Sequence, residues 1–229
     1  MAGGSGMSFA ARPIGLAGGE FLLTISSNSV NPNIRSLCVS AGWNQFAKVL
    51  VNVTAPLINR IALGSSSFPG GIEIVYSSGT FLGSDGLPAF STDVPVTINN
   101  LGTIAGVGGA GGRGETFYYN DGSVKYVNGG LGGAGQRFAS GTTTILAAEA
   151  GANGESVNFD GFHTANAGKG GTGGVWGQPG APGANGVDNS GGIVIGSVAP
   201  QPGYSGGDAV SGNSYITWKN TGIRLGGVS

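Results

Sequence analysis

The sequence is poor in charge. Only 9% of its 229 residues are Asp, Glu, Lys or Arg, and the net charge is -1. No basic face is available to neutralise a phosphate backbone, which excludes nucleic acid as a partner class. There is one cysteine, Cys38, and one histidine, His163. A single thiol excludes an internal disulfide and a multi-cysteine metal site, so Cys38 is expected to be a small buried apolar residue. No apolar run approaches the ~18 residues of a membrane span. The N-terminal MAGGSGMSFAARPIGLAGG lacks the charged start and apolar block of a secretory signal, so synthesis in a cytoplasm without export by that route is expected.

What the chain has in excess is glycine. There are 49, of which 13 fall in residues 1–100 and 36 after them. Glycine loses more backbone entropy on folding than any other residue, so the second region is either disordered or held by an unusual packing. Disorder goes with high charge and few aromatic or β-branched residues. Here charge is low and Phe, Tyr, Trp, Ile and Val recur throughout, which favours order.

The first hundred residues read as a small, mostly β unit with one helix. NPNIRSLCVSAGWN places Ile34, Leu37, Cys38 and Ala41 on one stripe, with Pro32 suited to a first helical turn and Gly42 to the end. Strands are expected in QFAKVLVNVTAP, INRIAL, GIEIVY and VPVTINN, separated by the turn signals SSSFPGG, SSG and GSDGLP. The sequon Asn52-Val53-Thr54 lies inside one of these strands and is read as chance.

The stretch GVGGAGGRG, residues 106–114, contains the spacing Gly-x-Gly-x-x-Gly of a dinucleotide-binding loop. Such a loop needs a helix after it. The chain continues instead with ETFYYNDGSVKYVN, a hairpin pattern with an Asp121-Gly122 turn. A flexible linker would have no period, but a period of three recurs in GGAGGRG, GGLGGAG and GKGGTGG, and at Gly177, Gly180, Gly183 and Gly186. Three residues per turn is the repeat of a polyproline-II helix, whose backbone groups are unbonded internally. Glycine at two positions of each triplet leaves two faces bare, so neighbouring helices can approach and bond across the gap. A collagen triple helix is excluded by the short, interrupted runs. Residues 101–213 are therefore expected to form a stack of short glycine helices.

The segments between the runs would then be loops held at the ends of a rigid scaffold. They hold Phe117, Tyr118, Tyr119, Asn120, Asp121 and Tyr126 in the first, Phe159, Phe162 and His163 in the second, Trp176 in the third and Tyr204 in the last. Aromatic side chains on supported loops give large contact area at low entropy cost, which suits recognition of sugars or proteins. The alternative is that the rings pack against the scaffold as a private core. No framework around His163 and Asp160 identifies a nucleophilic site, and Asp121, Asp160 and Asp188 read as turn residues.

The combination of AGWNQ, INNLGTIAGVGGAGG and the C-terminal GDAVSGNSYITWKNTGIRLGGVS resembles the glycine-rich tail-fibre and tail-tip proteins of tailed bacteriophages, from about Ile34 to Ser229. The resemblance implies a mostly β or irregular fold in three parts: an attachment segment over 1–30, a helix-plus-strands domain over 31–100, and a polyglycine-II bundle with recognition loops and a C-terminal strand over 101–229. It implies a virion protein, made in the host cytoplasm, that binds a host outer-membrane protein or surface polysaccharide through the eleven loop residues named above. Other phage tail proteins would be partners, with the chain either a homotrimer or a monomer capping a fibre trimer. Neither a cofactor nor a catalytic activity is implied. Two further readings stand beside this one. In the first, the same scaffold is a structural part of a baseplate, collar or head fibre. The second is a polysaccharide-degrading enzyme, for which Glu115, Glu149 and Glu155 lack the spacing of paired carboxylates.

Overall fold

Alternation in EFLLTI, KVLVNV, IEIVY and VTINN puts every second residue on one face. In the computed structural model, which describes residues 9–13 and 19–229, these stretches are the strands Glu20–Ile25, Lys48–Val53, Ile72–Tyr76 and Val96–Asn100. They pair in parallel, Ile216–Asn220 follows them, and Phe9–Pro13 lies antiparallel on the opposite edge. The register places Leu23, Val51, Ile74 and Ile98 in a row across the sheet, each fully buried.

After each of these strands the chain turns a corner. Ser29–Val30, Leu57–Asn59, Phe81–Gly83, Thr103–Ala105 and Ile223–Leu225 build a second parallel sheet. Ile61–Gly64, Phe90–Thr92, Asp208–Ser211 and Gly227–Val228 build a third. The first turn of chain adds a strand to two faces, and each later turn adds one to all three faces, of a three-sided parallel β-solenoid, whose shared interior buries the apolar faces of all three sheets. The corners are held by side chains. Asn100, fully buried, donates to the Thr221 carbonyl at 2.7 Å and accepts from the Gly102 amide at 3.0 Å. A Cβ at Gly102 would collide with the Thr80 carbonyl.

The expected helix is Ile34–Ser40, capped by the Asn33 side chain, which accepts from the Ser36 amide at 2.9 Å. Pro32 stands before this cap and not in the first turn as expected, because Asn33 provides the oxygen that the turn's free amide needs. Ile34 and Cys38 face the core, where burial pushes the Cys38 thiol up to about 12.

Contacts divide the chain into two units. The first holds the residues up to Gly106, Phe138–Ile145 and Asp208–Ser229; the second holds Val107–Arg137 and Leu146–Gly207. The second unit is therefore inserted in the fourth turn of the solenoid, between Thr103–Ala105 and Asp208–Ser211, in two stretches separated by Phe138–Ile145 of the first unit. Residues 208–229 complete the fourth turn and form the fifth.

The second unit contains six runs without helix or strand: 107–115, 128–136, 147–155, 167–174, 178–186 and 199–207, here runs 1 to 6. Backbone hydrogen bonds join them at every third residue. From run 1, the amides of Gly108, Gly111 and Gly114 bond to the carbonyls of Gln136, Gly133 and Gly130 in run 2. The amides of Gly109, Gly112 and Glu115 bond to Gln178, Ala181 and Ala184 in run 5. Runs 4 and 6 donate back to run 1 in the same rhythm, Gly171 to Gly112 and Tyr204 to Ala110 among them. The bonds order the runs as two layers, 3-4-5 against 2-1-6, with chain direction alternating from each run to the next.

Runs 1 and 4 lie in the middle of their layers, bonded to four others each, and both carry Gly-Gly-X. Runs 3 and 6, at the layer ends, bond to two and keep about one glycine per triplet. The glycines of the more crowded runs 1, 2 and 4 are obligatory for space. A Cβ at Gly111, Gly132 or Gly171 would overlap the carbonyl of Gly171, Gly111 or Ala181. Runs 3 and 6 were expected to belong to loops. With fewer neighbours they tolerate side chains, and so they lack the Gly-Gly-X signature.

Two predictions can be checked by melting. Gly132→Val and Gly171→Val should each lower the melting temperature by an amount equivalent to ~2 kcal/mol or more, since backbone and not a flexible side chain blocks the new Cβ. Thr172→Val, at an exposed position of the same triplet, should stay within ~0.5 kcal/mol. Thermal melts decide; unchanged melting of both glycine variants would contradict the close packing. The second concerns Glu73, a buried carboxylate of the solenoid bonded to Lys219 at 2.5 Å and Lys48 at 3.1 Å. The Lys219 hydrogen bond, then that of Lys48, holds its pKa below the usual value. Its contribution is therefore complete above the free value of about 4.3 and is lost as pH falls through the folded one. Glu73→Gln should cost about 1 kcal/mol near neutral pH, because the lysines are half exposed. It should also reduce the loss of melting temperature between about pH 5 and 3. A parallel pH dependence in both proteins would count against this role.

Candidate functional site

Because the runs alternate in direction, their connections fall at two ends. Segments 116–127, 156–166 and 187–198 share one end, while the chain enters at Gly106 and leaves at Gly207 at the other. The three connections are joined into one structure. Thr116–Asn120 pairs with Val124–Val127 and with Val194–Val198. Ser156–Asn158 pairs with Thr164–Asn166, which pairs with Val187–Asn189. Segment 187–198 thus supplies a strand to both three-stranded sheets.

A small core lies under these sheets: Phe117, Val127 and Ala165, with Tyr119, Val157, Phe159 and Val194 packed against it. The Tyr119 and Phe159 rings meet edge to face, with centroids 5.0 Å apart. Tyr118 lies over Gly196, where a Cβ would strike its ring, and faces Tyr126 with centroids 6.4 Å apart. The loop tips are tied by their own side chains. Asn120 accepts from the Gly122 amide, and Asp121 pairs with Lys125 at 2.8 Å. Asp160 accepts from the amides of Phe162 and His163 and from His163 Nδ1 at 2.5 Å. The His163 hydrogen bond, then the two amides, brings the Asp160 carboxyl down to about 2. The His163 ring covers Gly191. Glu115 and Asp188 likewise accept backbone amides, of Gly186 and Ser190.

Of the residues singled out from sequence, Phe117, Tyr118, Tyr119, Asn120, Asp121, Tyr126, Phe159, Phe162 and His163 come together at this end. Their exposure separates them. Phe162 is 90% exposed and Tyr126 58%, whereas Phe117 is 5% exposed and belongs to the core. Trp176 lies elsewhere, buried in the short turn 175–177 at the opposite end of the runs. Tyr204 sits in run 6 and not in a loop, with its backbone bonded to Ala110 and Gly180 and its ring exposed on the flank. Sequence reasoning passed over Val124, Val187, Ile195 and Val198, which are all exposed on the end strands. The β-branched residues clustered in IVIGSV were the signal for the last two.

The side chains left exposed at this end are mainly aromatic and aliphatic. His163 bonds to no hydroxyl among the described residues, so Asp160 and His163 form a loop clasp without a nucleophile. No three His, Cys, Asp or Glu side chains gather to hold a metal ion among the described residues. Exposed rings and aliphatic side chains stand on sheets with their own core, on runs pinned by backbone bonds.

Removing the core should loosen the surface. Phe117→Ala should cost ~3 kcal/mol in the second unit. Phe162→Ala, at an exposed tip, should cost less than ~0.5 kcal/mol. Chemical denaturation measures both, and equal costs would deny the difference in role.

In comparisons with known proteins, residues 20–229 match the model of the family described as Phage tail fibre adhesin Gp38. No curated protein and no solved structure gives a significant match.

Proposed function

The chain belongs to the phage tail fibre adhesin family, and from that premise we propose that it binds a host-cell surface receptor with the three joined loops at one end of its runs. The observation that carries this reading is the Phe162 ring, 90% exposed at the tip of a loop that its own hydrogen bonds hold in shape. A large ring kept in water has a contact role more readily than a folding one. Tyr126, Asn120, Asp121 and His163 would join it in touching the receptor. Tyr118, Tyr119 and Phe159 would shape the platform beneath, and Tyr204 would add a contact on the flank. The receptor would be an outer-membrane protein or a surface polysaccharide.

The runs, on this reading, are polyglycine-II helices. Bonds repeating every three residues support it, as does the absence of positive φ among the glycines of runs 1, 2 and 4. A stiff array holds the loops before the receptor arrives, so little ordering entropy is lost on binding. Residues 1–30, of which Glu20–Ile25 and Ser29–Val30 also form the first turn of the solenoid, would attach the chain to other tail proteins, as a homotrimer or as a monomer capping a fibre trimer; residues 1–8 and 14–18 lie outside the described residues. The mechanism is surface complementarity, with no chemical step.

Labelled full-length protein titrated onto a panel of bacterial strains tests the reading. Saturable binding to a few strains is expected, weakened at least tenfold in the double variant Phe162→Ala, Ile195→Ala with unchanged melting. A well-folded protein that binds no strain would favour a structural part of the virion, whose loops face other subunits.

A further inference from the structure

Beside the tip, a groove of about 320 Å³ runs along the start of the end strands, lined by Arg113, Thr116, Tyr126, Asn128, Val198 and Gln201 among others. Its size is at the lower end of ligand sites, about 300–1,000 Å³. Its lining contains one charged group and no carboxylate.

That charged group is unusual. Arg113 is half-buried, and no Asp or Glu comes within ion-pairing distance of it among the described residues. Its Nε donates to the Gly129 carbonyl at 3.3 Å and its Nη2 to Asn128 Oδ1 at 3.2 Å. Its Nη1 has no partner among the described residues. Asn128 is itself fixed, because its amide and Nδ2 donate to Glu155 at 2.7 and 3.0 Å. Glu155 feels the Arg113 charge, but its hydrogen bonds go to Asn128. The guanidinium is thus held in place by neutral acceptors, with donors to spare. A fixed, half-buried cation facing a groove without a carboxylate is matched by an anionic ligand, and a guanidinium fork fits a carboxylate.

The other walls narrow the class of ligand. The Tyr126 ring, 58% exposed, offers a flat apolar face. The Gln201 side-chain amide has no partner among the described residues, although its backbone is bonded to Arg113 and Gly183. Val198 and Ala199 add an apolar wall. A flat ring, a free amide and a guanidinium in one small groove suit a molecule with an apolar C–H face, several hydroxyls and one carboxylate. A peptide Asp or Glu would use the guanidinium and leave the ring and the amide idle.

We infer that this groove binds an acidic sugar, a uronic-acid unit of a surface polysaccharide, with its carboxylate on Arg113, its ring face on Tyr126 and its hydroxyls on Gln201 and Asn128. This deepens the receptor-binding reading by naming a ligand chemistry, and it places the contact on the flank of the tip.

The test is titration of the full-length protein with oligosaccharides containing glucuronic acid. Their carboxyl-reduced neutral forms serve as controls, and an acidic peptide as a competitor. Saturable binding is expected for the acidic sugar, at least tenfold weaker for the reduced form and weakened further as salt is raised. Tyr126→Ala and Arg113→Gln should each lose at least tenfold, with melting within a few degrees of the parent, and Phe46→Ala, at an exposed position of the first unit, should bind the sugar unchanged. If Arg113→Gln does not fold, Tyr126→Ala and the reduced sugar still decide. Equal binding of acidic and reduced sugars, no binding of either, or preference for the acidic peptide would each overturn the inference. Binding to cells that is lost in the Phe162 variant but kept in Arg113→Gln and Tyr126→Ala would overturn it while leaving the receptor-binding reading intact.

Discussion

The distance of closest approach between backbones governs the second unit. Where Gly111 faces Gly171, or Gly132 faces Gly111, no Cβ can be accommodated. Only at that separation can the amide of one run reach the carbonyl of the next. Each such bond contributes about 0.5–1.5 kcal/mol net, and each glycine costs about 0.5–1 kcal/mol in backbone entropy relative to alanine. The two are of similar size, so the array holds only if nearly every available amide is bonded. Bonds at every third residue, shared among four neighbours in the middle runs, meet that condition.

Chain direction determines the rest. Runs that alternate up and down return their connections to two ends. Three connections share one end and are long enough to pair as strands, which makes a small β structure of them instead of three separate loops. Phe117 anchors that structure from within, and Phe162 projects from it. The solenoid provides what a glycine array lacks, an apolar core with stacked aliphatic residues, and the chain leaves and rejoins it within its fourth turn.

Part of this was legible from sequence because local patterns carried it. The strands in KVLVNV, IEIVY and VTINN, the helix after Asn33 and the hairpin at Asp121-Gly122 all arise from alternation, capping and turn chemistry. The Gly-Gly-X period pointed to bare faces. Long-range pairing was not legible. That Ile216–Asn220 lies beside Val96–Asn100 depends on a register across more than a hundred intervening residues. Runs 3 and 6 were hidden because edge positions admit side chains, so AGANGE and PQPGYSGG look like loops. At the tip, the aromatic residues were found as a group, but burial separates Phe117 from Phe162, and burial depends on which strands meet. Arg113 was seen only as the X of a triplet; that its guanidinium is held by neutral acceptors shows itself when Asn128 and Gly129 come alongside.

The most direct measurement is amide hydrogen exchange of the full chain, resolved to single glycines by NMR. If the runs are joined by their backbones, the amides of Gly111, Gly112, Gly133 and Gly171 should exchange orders of magnitude more slowly than those of the turn glycines Gly122, Gly141 and Gly161. Exchange of the run glycines as fast as in a free peptide, in a protein whose solenoid amides are protected, would contradict the close-packed array and the rigid platform built on it.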